Sequence, residues 1–176
     1  MLKPVHYTGL ASNDTPTAIR AIMTELAMEL ESSGIILRSA AHPEMHSAFL
    51  RGVEAVGKKE VYVTWSHGRH SQHRIHPSQI DSATKALSLS IIQRFLPHMT
   101  VSQITQHDFI SMAPYLILGR DLNTPSRFVI CWTPDGLGQH GVGPALRIAR
   151  YYGIPVFDLG CSKSLAAFRN FKTLLR

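Results

Sequence analysis

Residues 127–160 constrain this chain more than any other stretch. An apolar run, Phe128-Val-Ile-Cys-Trp132, leads into Thr133-Pro-Asp-Gly136-Leu-Gly138-Gln-His-Gly141-Val-Gly143. Pro144-Ala-Leu-Arg-Ile-Ala-Arg150 and Gly153-Ile-Pro-Val-Phe-Asp158 follow. The order reads as buried strand, glycine-rich loop, helix and second strand, a unit that builds parallel sheet. Such a loop exposes backbone N–H groups at a helix N-terminus, where the dipole adds partial positive charge and an anion fits. A phosphate-bearing ligand is therefore the first functional expectation. Gly136, Gly138, Gly141 and Gly143 would present the donors, or serve simply as turn glycines.

The rest of the chain alternates in the same way. Residues 4–9 form a strand candidate, and Ala11-Ser-Asn-Asp-Thr-Pro16 a turn. A helix should start there, capped by Asp14 or Thr15 with Pro16 in its first turn. Its apolar stripe runs through Ile19, Ile22, Met23, Leu26 and Leu30 and stops at Ser33-Gly34. Strands are expected at 34–38 and 60–65, and a helix over 43–57 with Phe49, Leu50 and Val53 inward. Residues 66–78 read as a long polar loop. Helices follow at 79–97, with Ile80, Ala83, Leu87, Ile91 and Ile92 as its stripe, and at 104–118. Strands at 127–132 and 154–158 flank a helix at 142–152, and a last helix lies near 162–174. Strands separated by helices imply right-handed crossovers. The fold class is α/β, a Rossmann-like, doubly wound, mostly parallel sheet with helices on both faces. Loops 9–16, 39–46 and 133–143 should converge beyond the strand C-termini.

With 176 residues, 44% of them hydrophobic, the chain suits one domain spanning 1–176. No apolar run reaches the length of a membrane span and no signal-peptide h-region opens the chain, so a cytoplasmic protein is expected. Two cysteines, Cys131 and Cys161, make neither a disulfide framework nor a zinc site, and no metal or cofactor is expected. Eighteen Lys and Arg against twelve Asp and Glu give +6 with neutral histidines, a balance that suits nucleic acid or a merely soluble surface.

The candidate site residues fall in the three loops. Gly9 permits a tight strand exit, while Ser12 and Thr15 offer hydroxyls at a helix start, to a ligand or as caps. His42 and His46, four apart, could project together. Asp135 is either a turn residue before Gly136 or a group acting on a ribose or a water. Gly136-x-Gly138-x-x-Gly141, with Asp158 about twenty residues on, matches the spacing of a dinucleotide fingerprint. Trp132-Thr-Pro-Asp135 intervenes between strand and first glycine, which argues against NAD. His67, His70, His73 and His76 recur every third residue beside Arg69 and Arg74. On a loop this is no metal geometry, but it suits phosphate contact, with Trp65 as a stacking platform.

The wording of the three loops resembles the SLOG superfamily, a Rossmann-like group that includes DprA and the "lonely guy" phosphoribohydrolases. The likeness is to small DprA-like proteins common in bacteriophages. It rests on Tyr7-Thr-Gly-Leu-Ala-Ser-Asn-Asp-Thr-Pro16, on Leu37-Arg-Ser-Ala-Ala-His-Pro-Glu-Met-His-Ser-Ala-Phe49, and on Phe128–Gly136 with Gly141-Val-Gly143. Ala11-Ser-Asn13 stands where the family usually has Gly-Ser-Arg, and Ser39-Ala-Ala41 where it has Ser-Gly-Gly. His46 replaces an acidic residue, and no carboxylate follows Gly143.

The resemblance implies nucleotide or single-stranded nucleic-acid binding, with Ser39 joining the ligand loop and Arg38, Arg69 and Arg74 supplying charge. It also implies a homodimer and a phage or mobile-element source, hence a host cytoplasm. Two alternatives remain. One is a nucleoside-monophosphate N-glycosidase assisted by Asp135 or Glu44. The other is a non-catalytic protein that sequesters a nucleotide or contacts a host protein.

Overall fold

The computed structural model describes residues 4–42, 47–63, 74–138 and 141–175. Six strands form one sheet: β1 (His6–Leu10), β2 (Ile36–Ala41), β3 (Lys59–Val63), β4 (Arg74–Ile75), β5 (Val129–Cys131) and β6 (Val156–Asp158). Their order is β4-β3-β2-β1-β5-β6, and every pair is parallel. The chain winds outward from β1 to β4, then returns to the other side of β1 for β5 and β6. This is a doubly wound Rossmann-like α/β fold, and its winding reverses between β1 and β5.

Seven helices are present among the described residues. On one face lie α1 (Thr17–Ser32), α2 (Ala48–Arg51) and α7 (Ser164–Lys172). Their core contains Met23, Leu30, Phe49 and Phe168 over Tyr7, Leu37 and Phe128. The other face carries α3 (Ser82–Phe95), α4 (Val101–Gln106), α5 (Asp108–Leu118) and α6 (Gly143–Tyr151). There Phe109, Met112, Leu116 and Leu146 cover Leu10, Ala40, Val129 and Cys131. Alternate side chains of each central strand thus enter opposite cores, as a sheet covered on both faces requires. Among the described residues no helix is long and apolar enough to cross a membrane.

Several expected elements differ. Neither Asp14 nor Thr15 caps α1; Pro16 holds the N-cap position and no side chain bonds there. In α1 the buried stripe is Met23, Leu26, Ala27 and Leu30, with Ile19 and Ile22 only partly covered. Of the helix expected over 43–57, the described part contains α2 and a single 3-10 turn at Val56–Lys58, with Phe49 and Val53 buried as expected.

The polar stretch read as a loop contains an edge strand, because Arg74 and Ile75 pair with Val61 and Tyr62. The expected helix 104–118 is two helices. Thr100 and Gln103 form a capping box that starts α4 early, and extended His107 (φ −93°, ψ 91°) breaks the run. In α3, Leu87 faces solvent, and Asp81 starts the helix by accepting from the Thr84 N–H at 2.9 Å.

Candidate ligand cavity where the sheet reverses

At the C-terminal edge of the strands, beside the reversal between β1 and β5, lies a cavity of about 680 Å³. Open α/β sheets bind ligands at this position, because the loops of adjacent strands part there. Three converging segments anticipated from sequence line it among the described residues. The first is Ser12–Asp14 after β1, and the second is His42 at the end of β2. The third is the β5–α6 connection, through Trp132–Pro134, Gly141 and Val142. A fourth wall was not anticipated: His107, Phe109 and Ile110, where α4 gives way to α5. Reading 104–118 as one continuous helix hid that wall, and the Thr100-x-x-Gln103 capping signal was the clue to it.

The first turns of α5 and α6 open at this cavity, α1 follows the Ser12–Asp14 loop that lines it, and among the described residues no side chain caps any of the three. The same is true of α7, which does not face the cavity. By contrast α3 and α4, which begin elsewhere, are capped by Asp81 and Thr100. Asp108 occupies the first turn of α5, whereas α1 and α6 have no acidic residue there. Their N-terminal ends, not capped by side chains, and their positive dipole ends therefore favour an anion.

The other sequence-derived residues divide by what they touch. Thr15 is fully buried, its Oγ1 lying 3.4 Å from Ser12 Oγ. Arg20 holds the loop from outside, its Nε donating to the Thr15 carbonyl at 2.6 Å and its guanidinium also bonding Asn13. Ser39 does not line the cavity; its hydroxyl donates to the Gly9 carbonyl at 2.8 Å and ties β2 to β1. Gly9 is a strand residue packed against Phe49, whose ring would lie 2.6 Å from an added Cβ.

Gly136 and Gly138 both have positive φ, +65° and +73°, and serve the turn. A Cβ on Gly136 would meet Cys161 N at 2.8 Å, and one on Gly138 would meet Leu146 at 2.7 Å. Gly143 is buried as the first residue of α6, whereas Gly141 lines the cavity with nothing within 4 Å of an added Cβ.

Asp135 does not line the cavity. It is exposed, and its Oδ1 accepts from the Leu137 N–H at 3.0 Å, a turn contact. Asp158 is buried and accepts from Thr133 and Gly160 N–H groups at 2.8 and 3.0 Å, so the carboxylate that a dinucleotide site would use holds its own loop. Arg38 also lies away from the cavity. It is buried at mid-sheet, bonding Glu60 Oε2 at 2.7 Å and the Thr124 carbonyl. Arg74 is exposed on β4, while His76 is buried and caps its own turn, Nδ1 accepting from the Ser78 N–H at 3.1 Å. Glu44, His46, Trp65, His67, Arg69, His70 and His73 lie outside the described residues.

The polar seam around Arg38 is strongly perturbed. Burial alone would raise the Glu60 pKa, yet bonds from His6 and Arg38 together with their charge bring it down to about 2. Among the described residues no group of three His, Cys, Asp or Glu side chains is arranged to hold a metal ion. No family model, curated protein or solved structure matches the chain.

Proposed function

We propose that the cavity binds a nucleoside phosphate, free or as one unit of a single nucleic-acid strand, in the manner of a DprA-like protein. The observation that carries this reading is the opening of α6, without a side-chain cap among the described residues, beside the Ser12–Asp14 loop that leads into α1, at a cavity that also holds Trp132 and Phe109. The phosphate would sit against the helix N-termini and the base would stack on Trp132. A volume of about 680 Å³ is within the range of small-ligand sites. The net charge of +6 favours an anionic ligand.

Binding without hydrolysis is the favoured form, since Asp135 is engaged in its turn rather than facing the cavity. Self-association, a phage setting and a host partner belong to the same proposal through the resemblance alone.

Thermal denaturation with nucleoside monophosphates, ADP-ribose, NAD and a short single-stranded oligonucleotide tests the reading. A ligand at one hundred times its Kd should stabilise the fold by about 2.7 kcal/mol. Stabilisation by mononucleotides identifies a pocket for a single unit. Stabilisation by the oligonucleotide alone, lost at high salt, identifies a strand binder. No shift with any phosphate-bearing probe overturns the proposal, and release of free base would replace it with the N-glycosidase reading.

A further inference from the structure

We infer that His42 is the residue through which the cavity selects for ligand charge, taking up a proton as an anionic ligand enters. The inference rests on the nucleotide reading above and adds the side chain that reads the phosphate.

Among the described lining residues the basic side chains are the imidazoles of His42 and His107; no Lys or Arg joins them. Acidic groups are nearer to hand. Asp14 lines the cavity from the β1–α1 loop, and Asp108 stands at the first turn of α5. A phosphate dianion therefore enters a space that already has the Asp14 carboxylate, with Asp108 behind its α5 wall, and the helix N-termini offset them only with partial charges.

His42 supplies what is missing. Its ring is 10% exposed, lines the cavity at the end of β2, and has Nε2 3.9 Å from Asp108 Oδ2. The facing carboxylate, 23% exposed, lies beside the ring on the α5 side. An imidazole becomes a full cation by accepting one proton, so anion entry and protonation reinforce each other. Among the described residues, the titratable groups around it are Asp108 from α5, which lies beside its ring, and His107 and Asp14, which line the same cavity from the α4–α5 junction and the β1–α1 loop. His107 is exposed and solvated, which makes the enclosed His42 the group whose charge a ligand feels most.

Isothermal titration of the full chain with adenosine 5′-monophosphate, between pH 7.5 and 8.5, tests the inference. The phosphate's second pKa is about 6, so it stays dianionic throughout this range and any linked proton is taken up by a group on the protein. Affinity should fall by up to about tenfold per pH unit. Titration in two buffers of different ionisation enthalpy should show net proton uptake.

In His42→Gln both the pH slope and the uptake should disappear, while His98→Gln, away from the cavity, keeps them. Asp108→Asn should reduce the slope without abolishing binding. Unchanged melting temperatures would establish that each variant is folded. Nucleotide binding with no proton uptake, or a slope that vanishes in His107→Gln but survives in His42→Gln, overturns the inference and leaves the nucleotide reading standing. Failure of both the monophosphate and inorganic phosphate to bind wild-type protein overturns both.

Discussion

Thr133 and Asp158 form the joint that holds the glycine-rich loop against the sheet. The Thr133 N–H donates to Asp158 Oδ1 at 2.8 Å and its hydroxyl donates to Oδ2. The same hydroxyl accepts from the Gly138 N–H at 3.1 Å. One buried carboxylate at the end of β6 thereby sets the path of the chain leaving β5, and with it the position of the α6 N-terminus.

Replacing Asp158 with alanine should remove these charge-assisted bonds and leave buried donors without partners. A loss of about 2–3 kcal/mol is expected, measured by urea unfolding. The exposed Asp135→Asn change should shift stability by about 0.5 kcal/mol or less. Equal effects at the two positions would show that Asp158 does not anchor the loop.

Gly9 and Gly141 make opposite predictions for the same substitution. An added Cβ at Gly9 meets the buried Phe49 ring at 2.6 Å, so Gly9→Ala should destabilise by about 1–3 kcal/mol through overpacking. At Gly141 the space is open, and Gly141→Ala should leave the melting temperature unchanged. The new methyl group stands at the cavity beside the start of α6, so nucleotide affinity should drop about tenfold. Titration calorimetry compares the two proteins directly.

The Glu60 carboxyl predicts an acid-sensitive fold. Its pKa falls from the ordinary 4.5 to about 2 in the folded protein. A depressed folded-state value stabilises the protein above pH 4.5, and that contribution is lost as pH falls towards 2. Glu60→Gln should therefore cost roughly 3 kcal/mol at pH 7, where the buried Arg38 loses its half-buried counter-charge, and much less at pH 3. Unfolding midpoints at the two pH values test this, and an equal penalty at both would refute it.

Trp132→Leu keeps an apolar side chain in the β5–α6 connection while removing the stacking surface. Nucleotide affinity should fall by about 1–3 kcal/mol, measured by titration, with phosphate alone binding as before. A variant that retains wild-type nucleotide affinity would place the base elsewhere in the cavity.

The layer order was legible in the sequence because it depends on local signals. The stripe Met23, Leu26 and Leu30 and the apolar runs at Leu37 and Phe128 repeat with periods that distinguish helix from strand. Gly34 and Gly153 follow the ends of α1 and α6 as breakers should. Two short elements escaped. Arg74–Ile75 has no strand pattern of its own and is held as a strand only by pairing with β3. The break at His107 depends on the Thr100–Gln103 box and on Ile104 finding its place against Ile92 and Leu96.

By itself, then, the sequence determined an alternating, two-faced parallel sheet and the convergence of its loops, since hydrophobic period and backbone punctuation act over a few residues. Tertiary structure decided which polar side chains reach the cavity. Ser39, Arg38 and Asp158 looked available in the loops or the charge pattern, yet each meets a partner 22 or more residues away. His42 acquired Asp108 and His107 as neighbours only because β2 and the start of α5 end at the same edge. Strand order and register create those meetings, and a buried polar group takes whichever partner they deliver because leaving it unpaired is too costly.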